Sequence, residues 1–137
     1  MKTLQDSEEQ THEVAVPWQM KTIEYRPEQP KSITLLLHGY NERGLRIYRK
    51  LKRFLPKDTH IIAPNAPFPL PRIKPDRLDF GYAWNFYNDH KGVYHTEEKV
   101  IVGMVINLLQ KLNPDNLPVT IIGFSQGGFL APLLAYH

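Results

Sequence analysis

There is no cysteine anywhere in the 137-residue chain. A disulfide framework, a thiol nucleophile and thiolate metal ligation are therefore excluded, while the redox compartment stays open. Long apolar runs are missing too. The stretch Val100 to Val105 is typical of the longest, far short of the ~20 residues that cross a bilayer. The N-terminus MKTLQDSEEQTHE lacks the apolar centre of a signal peptide, so a cytoplasmic protein without a transmembrane segment is the default expectation. No sign of charge dominates: the formal net charge of +3 permits anionic partners without requiring them, and nucleic acid is not expected. No internal repeat is visible.

What is present is the composition of an ordinary globular chain, 42% hydrophobic and 23% charged. The length suits one domain, which buries about two-thirds of the surface its unfolded chain exposes. Residues 1–13 are polar and aperiodic, as in a frayed tail. Val14 to Tyr25 alternates in short stretches, predicting an edge hairpin or one long strand interrupted at Pro17. After a turn at Arg26 to Pro30, the run Ser32 to Leu37 suits a parallel strand buried on both faces. A helix is expected from Leu45 to about Leu55, with Ile47, Tyr48, Leu51, Phe54 and Leu55 on one face. Arg46, Arg49, Lys50, Lys52 and Arg53 cover the other face, either as a solvated surface or as a patch that attracts acidic headgroups or proteins.

Thr59 to Ala63 reads as a second strand. From Ala63 to Asn88 the chain is punctuated by five prolines up to Pro75 and then by Phe80, Tyr82, Trp84, Phe86 and Tyr87. This predicts a long structured loop without hydrogen-bonded secondary structure, either functional or a lid with Trp84 in the core. Thr96 is the expected N-cap of a packing helix whose stripe is Val100, Ile101, Met104, Val105, Leu108, Leu109 and Leu112. Val119 to Ile122 then reads as a buried strand, and Gln126 to Tyr136 as a buried helix bent near Pro132. Strand and helix alternate, which indicates an α/β fold with a mostly parallel sheet.

The chemistry sits between those last two elements. Gly123-Phe124-Ser125-Gln126-Gly127 matches the G-x-S-x-G nucleophile elbow, a sharp strand-to-helix turn that lifts a serine hydroxyl clear of the sheet. Gly123 and Gly127 are needed because bulk at either would clash across the turn. Ser125 is thus the candidate nucleophile. Oxyanion stabilisation needs two backbone donors, one after the nucleophile and one from a loop after a neighbouring strand. Leu35 to Tyr40, with Gly39 in its loop, is such a strand and loop, so the N–H groups of Gln126 and Tyr40 form the expected pair. The competing reading is a plain glycine turn.

GFSQGG at Gly123 to Gly128, LLLHGY at Leu35 to Tyr40, APNAP at Ala63 to Pro67 and the later Trp84 resemble, in order and spacing, the phospholipase/carboxylesterase family that includes acyl-protein thioesterases. The resemblance spans about Lys31 to Ala135. It implies an α/β-hydrolase fold and hydrolysis of carboxylic esters or thioesters through an acyl-enzyme, with no cofactor and no metal. It carries the nucleophile role onto Ser125 and the oxyanion role onto Tyr40 and Gln126, and makes the loop around Trp84 the acyl pocket. Implied substrates are a small-molecule ester or thioester, an acylated protein or a lysolipid. Tyr40 stands where leucine is common in that family.

The departure lies downstream. The triad of this fold runs serine, then acid, then histidine, yet Gln126 to His137 holds no acid and one histidine. Twelve helical residues place His137 about 18 Å from the serine. His38 belongs to the oxyanion loop as a structural hydrogen-bonder, and His60, His90 and His95 read as surface residues. Asp89, His90 and His95 have no telling metal-ligand spacing. Loss of a triad member costs about a million-fold in turnover. The expectation is therefore an incomplete domain over residues 1–137, the N-terminal portion of a serine hydrolase, residually active at best. Its last strand would have an unpaired apolar edge inviting self-association. The alternative is a non-catalytic protein binding acyl or aromatic ligands in the same pocket.

Overall fold

The structure is a computed structural model that describes residues 7–137. Of the expected tail, residues 1–6 lie outside the described residues, and residues 7–13 are exposed chain without helix or strand. The elements in order are β1 (Thr22–Tyr25), β2 (Ser32–Leu37), α1 (Gly44–Leu51), β3 (Thr59–Pro64), β4 (Phe68–Ile73) and β5 (Leu78–Ala83). They continue with β6 (Tyr87–Asn88), β7 (Val93–Tyr94), α2 (Glu98–Leu112), β8 (Val119–Gly123) and α3 (Gln126–Ala135).

The main sheet has the order β1-β3-β2-β8, in which β3, β2 and β8 run parallel and β1 is antiparallel. Ile33 to Leu37 are all buried because both faces are covered. On one side Ile33, Leu35 and Leu37 pack with Trp84, Val105, Leu130 and Leu134, which joins the sheet to α2 and α3. On the other side Leu36 packs with Ile61, Ala63 and Ile47 of α1. A strand buried on both faces needs a continuous apolar run, and each such leucine contributes about 1.5–3 kcal/mol of transfer free energy.

Several expectations need correction. No hairpin forms over Val14 to Tyr25: only Thr22–Tyr25 is strand, and Val14, Val16 and Trp18 are exposed. Thr22 already pairs with Pro64, the last residue of β3, so the residues upstream run past the end of their partner. The segment after Pro64 is no irregular loop either, because β4 and β5 pair antiparallel over six residues each. Pro69 and Pro71 are two apart and so lack their N–H groups on the same side. A two-stranded ribbon tolerates this on its unpaired outer edge.

Helix α1 ends at Leu51 and tightens into a 3₁₀ turn over Lys52–Phe54. The narrower turn rotates Phe54 outward, leaving it 70% exposed, while Leu55 still packs beneath α1. Glu97 rather than Thr96 is the N-cap of α2, and Val102 is buried in place of the half-exposed Val100. Strand β8 is exposed at Val119 and Thr120 and half-buried thereafter, since among the described residues it pairs on one side only, with β2. Helix α3 continues through Pro132 and buries Gly127, Leu130 and Leu134, but Phe129 is exposed. Among the described residues no helix is long and apolar enough to cross a membrane.

Candidate active site

The register of β2 against β8 sets the site. Leu37 pairs with Gly123, so the loop after β2 and the turn after β8 emerge side by side, and Phe124 N–H donates to Leu37 O at 3.0 Å. Ser125 follows with φ 52° and ψ −114°. This left-handed backbone costs a non-glycine residue about 1–3 kcal/mol and persists only where its surroundings over-determine it. They do so here: Gly127 N–H donates to Phe124 O at 2.9 Å and Phe129 N–H to Ser125 O at 3.2 Å.

Both flanking glycines are sterically required. A Cβ on Gly127 would overlap the carbonyl of Leu37 and come within 2.7 Å of His38 O; one on Gly123 would overlap the carbonyl of Gly127 and meet Gly128 N at 2.7 Å. Gly128 is freer, with its nearest neighbour at 3.4 Å. At Gly39 an added Cβ would touch the Phe124 ring at 3.0 Å.

The loop carrying Tyr40 is held by its neighbours. Glu42 Oε2 accepts from Gly39 N–H at 3.1 Å, Asn41 N–H donates to Tyr82 O at 2.9 Å, and Tyr82 N–H returns to Glu42 O at 2.9 Å. Asn41 makes the bend with φ 58°. Among the described residues, neither the Tyr40 N–H nor the Gln126 N–H has a hydrogen-bond partner. Tyr40, Ser125 and Gln126 line one open cleft of about 760 Å³, together with Phe86, Asp89 and Phe129. The cleft therefore holds an exposed serine hydroxyl, two unused backbone donors and three aromatic side chains. Helix α3 starts immediately after Ser125, adding the positive end of its dipole.

Two side chains that sequence reasoning left without a task hold this arrangement. Gln126 Oε1 accepts from Trp84 N–H at 2.7 Å, and its Nε2 donates to Asn85 O and Oδ1 at 3.1 and 2.8 Å. Glu42 anchors the loop at Gly39 as described. The Gln126 side chain has no local signal, because it acts on a segment brought close only by folding, whereas Glu42 acts within its own loop, three residues back at Gly39.

Trp84, expected at the acyl pocket, has its ring in the core at 1% exposure, and its Nε1–H donates to His38 O at 2.9 Å. It borders a smaller cavity of about 250 Å³ with Ile101, Leu130 and Leu133, and Phe129 lines both this cavity and the serine cleft. His38 is fully buried: Ala66 N–H donates to its Nε2 at 2.9 Å, so Nδ1 carries the proton and donates to Gly39 O at 2.7 Å. Burial holds its pKa below the ordinary 6.5, against smaller opposing effects of the Gly39 carbonyl and Glu42. With both nitrogens occupied, His38 is a structural residue and no base for Ser125.

His60 corrects the expectation of a surface residue. It is 3% exposed, with Nε2 at 2.8 Å from Glu24 Oε1, which the antiparallel edge strand β1 brings alongside β3. His90 and His95 are exposed, and among the described residues no group of three metal-capable side chains comes together. His137 lies at the far end of α3, and among the described residues Ser125 Oγ has no histidine or carboxylate partner.

Parallel strands, a left-handed serine at a strand-to-helix turn and helices on both faces define the α/β-hydrolase fold. Comparison with solved structures agrees on the fold. Zea mays acyl-protein thioesterase 2 is 24% identical with a TM-score of 0.62, covering 84% of this chain and 50% of its own. Esterase PE8 is 22% identical with a TM-score of 0.62, covering 84% of this chain and 56% of its own. The chain thus spans about half the length of these proteins. No curated protein sequence matches it. The profile of the serine hydrolase (FSH1) family matches residues 28–137, and the chain belongs to that family.

Proposed function

We propose that this chain carries the nucleophile half of an esterase or thioesterase that works through an acyl-enzyme, with residues 1–137 forming one incomplete hydrolase domain. Ser125 Oγ attacks the carbonyl carbon, and the oxygen that becomes negative is received by the N–H groups of Tyr40 and Gln126. Collapse of the tetrahedral species expels an alcohol or thiol and leaves the acyl group on Ser125, and water then releases the acid. The observation that carries this reading is the juxtaposition of a left-handed, exposed Ser125 with two unpartnered backbone donors in one cleft. The aromatic lining from Tyr40, Phe86 and Phe129 favours an apolar acyl group, in a small-molecule ester or thioester, an acylated protein or a lysolipid.

Attack by Ser125 requires a general base, and among the described residues none stands beside it. Activity of these residues alone is accordingly residual, and full turnover needs an acid and a histidine supplied from beyond position 137. A fluorophosphonate probe tests this by mass spectrometry. The expected result is a weak adduct on Ser125 alone, strengthened when the chain is joined to an acid- and histidine-bearing segment and abolished in Ser125→Ala. No adduct in the joined form would remove the enzyme reading. The unpartnered Ser125 hydroxyl also favours a second reading, a pocket that binds acyl or aromatic ligands without turning them over. Tight binding of a non-hydrolysable acyl ligand with no Ser125 adduct in either form would establish it.

A further inference from the structure

On the outer side of α1 a second groove of about 430 Å³ shares no lining residue with the serine cleft. Its walls carry Arg43, Arg46, Arg49, Lys50 and Arg72, against one carboxylate, Glu42. Two of these guanidinium groups are fixed in place from different elements: Arg43 Nε donates to Phe80 O at 2.7 Å and an Arg72 Nη to the same oxygen at 2.8 Å. Two cations on one carbonyl repel each other, so the arrangement costs free energy unless something negative lies nearby.

Part of that charge is balanced. Arg72 Nε lies 3.2 Å from Asp79 Oδ1, and Arg46 Nε lies 3.4 Å from Glu42 Oε1. Among the described residues Arg43, Arg49 and Lys50 have no carboxylate within ion-pair distance. A single carboxylate ligand would satisfy one guanidinium fork. A tetrahedral phosphate offers more acceptor oxygens and up to two charges, and planar guanidinium donors match it bidentately.

We propose that the groove between α1 and the β4–β5 ribbon is a binding site for a phosphate-bearing ligand. Arg43 and Arg72 form its pre-positioned floor, and Arg49 and Lys50 close on the phosphate from the solvent side. The site stands independently of the chemistry at Ser125. A soluble phosphate and a phosphate headgroup in a lipid surface would present the same group.

Calorimetric titration of the 137-residue chain with pyrophosphate, alongside sedimentation with phosphatidylcholine vesicles with or without phosphatidic acid, separates these sources. Arg49→Gln with Lys50→Gln should weaken binding about tenfold or more, since each loses a charge-assisted contact. Lys99→Gln with Lys111→Gln, on α2 across the sheet, removes the same net charge and should leave affinity within about twofold. Retention by phosphatidic acid vesicles alone, lost in the Arg49/Lys50 variant, supports the site and assigns it to a headgroup. Pyrophosphate binding lost in the same variant supports a soluble ligand. Failure of the unmodified chain to bind either probe, or equal loss in both double variants, would overturn the proposal.

Discussion

Gly127 and Gly128 are adjacent residues of α3 with opposite steric situations, and replacing each by alanine gives a matched experiment. At Gly127 the new methyl would overlap the Leu37 carbonyl oxygen and approach Leu37 C and His38 O to 2.6 and 2.7 Å. All three atoms are backbone, at the end of β2 and the start of the loop that carries Tyr40, so no side-chain rotation relieves the contact. Relief requires α3 to move off the sheet or Leu37 to leave its pairing with Gly123. Overpacking of this kind costs about 1–3 kcal/mol, and the rigidity of the partners puts Gly127→Ala at about 3. At Gly128 the nearest atom is Gly123 O at 3.4 Å, an ordinary contact. Alanine there should gain up to about 1 kcal/mol of helix propensity. With a urea slope of about 1–3 kcal/mol per molar, Gly127→Ala should lower the unfolding midpoint by ~1 M or more, and Gly128→Ala should hold or raise it. A Gly127→Ala midpoint equal to that of the unmodified chain would refute the steric account of the elbow.

Ser125→Gly should raise stability by about 1 kcal/mol, because glycine accepts φ 52° without strain while abolishing fluorophosphonate labelling; a lower thermal midpoint would contradict the strain assigned to the serine. Gln126→Ala keeps the backbone donor but frees Trp84 N–H and Asn85, so a loss of about 1–3 kcal/mol is expected in urea melts, with slower labelling of Ser125. For His38 the folded pKa lies below the unfolded value, so the unfolded chain binds the extra proton as pH falls below about 6.5. Stability from the neutral, buried ring is complete above that pH. It falls by up to about 1.4 kcal/mol per pH unit until the lowered folded pKa is reached. Urea midpoints measured from about pH 7.5 to about pH 5 should show this slope in the parent and lose it in His38→Gln; an equal slope in both would assign the acid sensitivity elsewhere.

The parts of the molecule that could be read from the chain are those whose cause is local. Ser32 to Leu37 announces a strand covered on both faces, and the spacing of Gly123, Ser125 and Gly127 announces a turn that only small flanking residues permit. His60 could not be placed that way, because its burial depends on Glu24, thirty-six positions earlier, arriving on an antiparallel edge strand. Prolines 69 and 71 pointed to irregular chain, whereas their spacing of two leaves one side of β4 free to pair with β5. Trp84, expected in the acyl pocket, has its ring in the core instead. Its contribution runs through the backbone of His38 and the side chain of Gln126, contacts that exist only once β5 and α3 are side by side.

Gln126 also separates what a genetic screen would see from what the proposed chemistry would use. Its side chain fastens the 84–85 segment, while its N–H has no partner among the described residues, and every amino acid except proline supplies that N–H. A saturation library would score position 126 for the contacts of its side chain and position 40 for its ring in the cleft, and the two backbone N–H groups would pass unnoticed. Only a change to the backbone itself, such as an amide-to-ester replacement at Gln126 or Tyr40, would expose them.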